Sequence, residues 1–135
     1  MNISLDMFKA VLFDSDGVIL NSNSIKLNGF YHLVKEVSSK DDAVKILHHI
    51  RESKGLSRYD IIDLICTHFC TFGQHDVSSQ LLLARYSDIV FSSLVRCQID
   101  EGIFLFKELY PLAHWFILTA GDTKETEKIY QESTQ

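Results

Sequence analysis

Three observations predict an α/β fold for this chain. The apolar run Lys9-Ala10-Val11-Leu12-Phe13 ends on Asp14-Ser15-Asp16-Gly17. The run Phe116-Ile117-Leu118 ends on Thr119-Ala120-Gly121 and repeats that plan far down the chain. Between the two lies a long tract whose apolar residues recur at helical spacing. The resulting order is strand, large helical insert, helix, strand, helix. Two parallel strands joined by a right-handed crossover fit it, with most of the insert folded apart as a lid.

Residues 8–13 read as the first strand. The run is short, continuously apolar after Lys9, and rich in Val, Leu and Phe, which suits a strand buried on both faces of a parallel sheet. Residues 24–37 then place Ile25, Phe30, Leu33, Val34 and Val37 on a helix. Asp41 and Asp42 open a second helix, where negative charge meets the positive end of the dipole. Gly55 interrupts the pattern. Ser57 to Asp60 resembles a capping box with Asp in place of Glu, and Ile61, Ile62, Leu64, Ile65 and Phe69 continue as a helix. Gly73 marks another break. Residues 77–97 carry enough Leu, Ile, Val and Phe for one long or two shorter helices, and 101–110 form a last helix before the second strand. Pro111 stands where that helix should stop. Residues 114–118 read as the second strand, with Phe104, Phe106, Tyr110, Trp115 and Phe116 as core around it. Residues 122–133 form a polar helix started by Asp122-Thr123.

The composition, 46% hydrophobic and 23% charged over 135 residues, is that of a globular domain and not a disordered one. A net charge of −5 argues against a nucleic-acid partner, which needs a basic face. No apolar run approaches the roughly 18 residues of a membrane span, and the N-terminus does not read as a secretory signal. Three cysteines, Cys66, Cys70 and Cys97, read as free thiols of a cytoplasmic protein. Cys66, His68, Cys70 and His75 match no common zinc spacing, and the interleaved Phe69 and Phe72 favour core packing. His48-His49 reads as a solvated helix edge.

Asp14 and Asp16 stand two apart at the end of a strand, on a turn that Gly17 permits. A carboxylate there can attack phosphorus, and a second within reach can move the proton. In open α/β sheets, ligands bind beyond the carboxyl ends of the strands, where Asp14 and Thr119 both sit.

On these residues the chain resembles the haloacid-dehalogenase-like (HAD) superfamily of phosphatases, in the subgroup with a helical cap after the first strand. Phe13-Asp14-Ser15-Asp16-Gly17-Val18-Ile19-Leu20-Asn21-Ser22 is similar to the first motif over its whole length, with Asn21 where Asp is usual. Leu118-Thr119-Ala120-Gly121 resembles the second. The resemblance implies a partial Rossmann-like core over 1–20 and 99–135 and an all-helical cap over 21–98. It implies that Asp14 is the nucleophile that forms an aspartyl-phosphate, and that Asp16 is the acid and then the base. True dehalogenases do not need a carboxylate at the second position. Ser15, Gly17, Thr119, Ala120 and Gly121 are expected to hold phosphate, aided by the N-terminus of the 122–133 helix. Mg²⁺ is the expected ion, with an Asp14 oxygen and the Asp16 carbonyl as its ligands.

Gly55-Leu56-Ser57-Arg58-Tyr59 is similar to a cap segment of HAD phosphatases that act on surface-polysaccharide sugars, and Lys26 fits that subgroup. Two readings of Arg58 stay open. It grips an anionic substrate group from a cap loop, or it is a solvated residue in the first turn of a helix. The expected substrate is a small phosphorylated metabolite, a sugar phosphate. A phosphomutase and a non-catalytic interaction module are the alternatives.

The family's basic residue and its later acidic loop follow the second motif by many residues, and only 14 residues follow Gly121. Lys124, Lys128 and Asp122 do not stand in those places. The expectation is therefore a truncated phosphatase with little or no turnover alone, whose unpaired sheet edges favour self-association.

Overall fold

The computed structural model describes residues 9–53, 55–68 and 78–133. Elements run in the order β1 (Ala10–Asp14), α1 (Asn23–Val37), α2 (Lys40–Glu52), α3 (Arg58–His68), α4 (Ser79–Val95), α5 (Glu101–Leu109), β2 (His114–Leu118) and α6 (Thr123–Ser133). Two compact units result. The described residues up to Asn23 together with Arg96 onward form an α/β unit, and Ser24–Val95 form a helical unit.

In the α/β unit, β1 and β2 pair in parallel, with Leu12 opposite Phe116 and Asp14 opposite Leu118. Each strand's apolar run supplies the β-branched and aromatic residues that a pleated surface accepts. Phe13 stacks on Trp115 with ring centroids 5.5 Å apart, and Phe106 of α5 meets both rings edge-on. Tyr110 leans on Phe106. Helix α5 thus covers one face of the sheet.

The other face departs from the sequence reading. Leu12 is 62% exposed and its partner Phe116 53%, so these strands are not buried on both faces. Phe104 is exposed as well and does not join the core assigned to it. An apolar run predicts a strand, but burial of its two faces depends on what packs there. Among the described residues, α5 supplies its Phe106 to one face only.

The helical unit closes on itself. Leu33, Val34, Ala43, Ile46, Ile62, Ile65 and Leu94 are fully buried, one or two from each of α1 to α4. Gly29 lets α1 approach α4: a Cβ there would lie 2.3 Å from Val90 Cγ1. Phe30 stacks on Tyr86 at 4.2 Å, and Tyr86 Oη donates to the Lys26 carbonyl at 3.2 Å. Helices α2 and α3 are capped from their own sequence. The Ser39 hydroxyl accepts the Asp42 amide at the start of α2. Ser57 and Asp60 form a reciprocal box, Ser57 N–H to Asp60 Oδ2 at 2.9 Å and Asp60 N–H to Ser57 Oγ at 3.2 Å.

Candidate active site

The Asp14–Ser22 turn is built from its backbone outward. Ser15 N–H donates to the Leu118 carbonyl at 2.9 Å, carrying the parallel ladder one residue past the strand. The chain then folds back, with Ile19 and Leu20 amides donating to the Ser15 carbonyl and Gly17 N–H donating to Leu20 O at 2.8 Å. Gly17 takes φ +75°, the left-handed region that favours glycine. A Cβ there would also lie 2.5 Å from Asn23 Nδ2. Asn21 N–H to Gln98 O and Asp100 N–H to Ile19 O tie the turn to the segment entering α5.

This backbone presents an exposed Asp14, a buried Ser15 and a half-buried Asp16 in succession. The Ser22 hydroxyl, fully buried, donates to Asp16 Oδ1 at 2.6 Å. Ser15 Oγ lies 3.0 Å from Tyr130 Oη of α6, within hydrogen-bond distance. Burial raises the Tyr130 phenol above its ordinary value; the Ser15 bond opposes this, and the charges of Asp16 and Asp14 add to it. Cys97 is raised too, by burial first, while a bond from the Asn21 backbone opposes and the Asp16 charge adds.

The second strand brings Thr119 to the same end of the sheet as Asp14, since Asp14 is in register with Leu118. Thr119 Oγ1 accepts the Gly121 amide at 3.0 Å. An anion seeking that amide must displace the hydroxyl oxygen, while the hydroxyl hydrogen is still a donor. Asp122 caps α6 by accepting Glu125 N–H at 2.9 Å, so the first-turn amides already face a carboxylate.

The expected phosphate ligands therefore divide. Ser15 is 2% exposed and its amide and hydroxyl are both engaged inside the fold. Gly17 N–H is likewise engaged, so its part is conformational. Thr119, Ala120 and Gly121 stand at the strand end. Arg58 heads α3 in the helical unit, with its guanidinium 5.7 Å from the Tyr86 ring centroid. Cys70 and His75 lie outside the described residues, and Cys66 Sγ approaches Ser79 Oγ at 3.8 Å.

The donor chemistry at Asp14 and Asp16 is hard oxygen, which fits Mg²⁺, an ion that is commonly held by one or two carboxylates and several waters. Among the described residues, no three His, Cys, Asp or Glu side chains gather closely enough to make a full protein shell. The turn thus fits part of such a shell. Ser22 and Tyr130 were missed from sequence. Ser22 lay inside the quoted motif without a role, and Tyr130 is 115 residues from its partner. Among the described residues no helix is long and apolar enough to cross a membrane.

No family model and no curated protein matches the sequence. The structure is similar to a crystal structure of the proposed HAD-hydrolase YfnB from Bacillus subtilis, an orthorhombic form bound to magnesium. The TM-score is 0.57 at 17% identity, over 94% of this chain and 60% of that one. This chain therefore spans about 60% of the length of the structure that it matches. At that identity the likeness concerns architecture: the chain has a HAD-like α/β fold with helical elements.

Proposed function

We propose that this chain carries the nucleophile-bearing part of a Mg²⁺-dependent phosphatase for a small phosphorylated metabolite, a sugar phosphate by class. The observation that carries the reading is the turn itself. Two carboxylates flank a buried serine at the end of a parallel strand, and Asp16 receives a 2.6 Å hydrogen bond from Ser22. The HAD-like fold supports it, as does the magnesium reported for the similar structure.

In this reading an Asp14 oxygen attacks phosphorus and the bond from phosphorus to the leaving oxygen breaks. Asp16, in its acid form, gives that oxygen a proton. The aspartyl-phosphate on Asp14 is then attacked by water, whose proton passes to the Asp16 carboxylate, and the Asp14 carboxylate leaves. The Thr119 hydroxyl donates to a phosphate oxygen throughout. An Asp14 oxygen and the Asp16 carbonyl would hold Mg²⁺, which when bound supplies charge to offset that of the phosphate.

The test is Mg²⁺-dependent phosphate release from a panel of sugar phosphates. Whatever turnover exists should vanish in Asp14→Asn. Robust release that survives Asp14→Asn overturns the reading. Product analysis separates a phosphatase from a phosphomutase, which would yield an isomer instead of free phosphate. A second reading, an interaction module, draws support from the exposed Leu12 and Phe116 face.

A further inference from the structure

We propose that Tyr130 is a positioning residue for the Asp14–Asp16 pair: its phenol holds Ser15 and so sets the aim of the carboxylates on either side. The proposal rests on the phosphatase reading for what the carboxylates do, and on the geometry of the turn for how they are held.

Ser15 is the pivot of the turn. Its amide is bonded to β2 through Leu118, and its carbonyl accepts from Ile19 and Leu20. Those bonds fix the height of the backbone at this point. They restrain the peptide planes on either side, Asp14–Ser15 through the amide and Ser15–Asp16 through the carbonyl, but not the Ser15 side chain. The bond to Tyr130 adds a third restraint, on that side chain, and ties the turn to α6. It comes from α6, an element that follows Thr119 directly. Tyr130 thus links the helix behind the expected phosphate ligand to the residue between the expected nucleophile and acid.

The link is well made for that purpose. A phenol is rigid and has only two side-chain torsions, so it transmits position better than a longer polar chain. Ser15 is 2% exposed, so water does not compete freely for its hydroxyl. Ile129, next to Tyr130, is buried at 4% and anchors that part of α6. Neither hydroxyl is ionised in the ordinary working range, so either can donate in the Ser15–Tyr130 bond. Asp16 has a second restraint in Ser22, which holds the carboxylate while Tyr130 holds the side chain of the residue before it. Groups that act on a reacting centre lose rate steeply when displaced by a fraction of an ångström.

The experiment compares the full chain with Tyr130→Phe, Ser15→Ala and the double variant. The readouts are the carboxyl carbon NMR signals of Asp14 and Asp16, the Mg²⁺ affinity read from them, and the thermal midpoint as a control. Tyr130→Phe is expected to move both carboxyl signals and to weaken Mg²⁺ roughly tenfold, the low end of the scale for direct partners of a metal ligand, because Tyr130 reaches the ligands only through Ser15. Ser15→Ala should do the same, and the double variant should be no worse than either single, because all three remove one bond. Where turnover is measurable, kcat should fall roughly tenfold per folded molecule with KM little changed.

Unmoved carboxyl signals in Tyr130→Phe overturn the proposal, even if the midpoint drops, because the bond would then only staple α6 to the turn. Additive losses in the double variant overturn it too. Ser15→Ala deletes the same bond while keeping the ring, so the test survives a Tyr130→Phe that does not fold. If Mg²⁺ moves neither carboxyl signal in the unsubstituted chain, the phosphatase reading fails, while the metal-free signals still judge Tyr130.

Discussion

The helical unit and the α/β unit solve the burial problem differently. In Ser24–Val95, four helices share one closed core, and the N-termini of α2 and α3 are capped by Ser39, Ser57 and Asp60 from the local sequence. In the α/β unit, Leu12, Phe116, Leu118 and Leu112 face solvent, the last 95% exposed. Its fully buried side chains include polar ones, Ser15 and Ser22, and both serve the turn. The Trp115 indole N–H is buried there without a partner among the described residues. One unit spends its sequence on packing and the other on presenting groups. A two-stranded sheet is marginal by itself, so the α/β unit has most to gain from a further element against its open face.

The largest test of that division is chemical. Asp14→Asn should lower any phosphate release at least about a thousandfold, the scale on which a lost nucleophile acts, while circular dichroism of the chain stays unchanged. Equal loss of helical signal would show that the turn is structural after all. Next in size, Ile62→Ala should cost the helical unit about 2–5 kcal/mol in urea unfolding. Leu12→Ala, an equally apolar residue on the open sheet face, should cost under about 0.5 kcal/mol. Similar losses from both would erase the contrast. Gly29→Ala should destabilise by about 1–3 kcal/mol, because the added methyl meets Val90 and Tyr86.

Acid should divide the units as well. Asp60 is held below its ordinary value by the Ser57 hydroxyl and amide, and Glu36 by Arg85, whose guanidinium donates at 2.7 Å. Asp42 is lowered by Ser39, Ser38 and Lys45. All three belong to the helical unit. Folded values below the unfolded ones mean stability that is complete above the unfolded values, near pH 4, and is lost as pH falls through the folded values. Thermal midpoints followed downward from pH 5 should therefore fall first in the helical unit, and Ser57→Ala should flatten that fall. The smallest effect concerns Arg58→Ala. If Arg58 serves the helical unit and not a substrate, the midpoint drops slightly and substrate KM does not move.

Local features were legible in the sequence. The second strand falls on His114–Leu118 as read, and the last helix starts after Asp122, whose side chain accepts the Glu125 amide. The Ser57–Asp60 box forms as its spacing implies. Caps and strand runs are decided within a few residues, so a few residues announce them. The buried role of Ser15 was not legible, because its partner is Tyr130 at the far end of the chain. Nor was the exposure of Phe104 and Phe116, which depends on what packs against them.

By itself the sequence determined the order of elements, the helix caps and the two strand ends that carry Asp14, Asp16 and Thr119. Each follows from side-chain period, backbone preference or a hydrogen bond of short span. The tertiary structure alone decided which face of the sheet is covered, that Ser15 points inward to Tyr130, and that Ser22 grips Asp16. Those outcomes depend on segments distant in sequence meeting in space, or on how a turn closes, and no short stretch of residues encodes them.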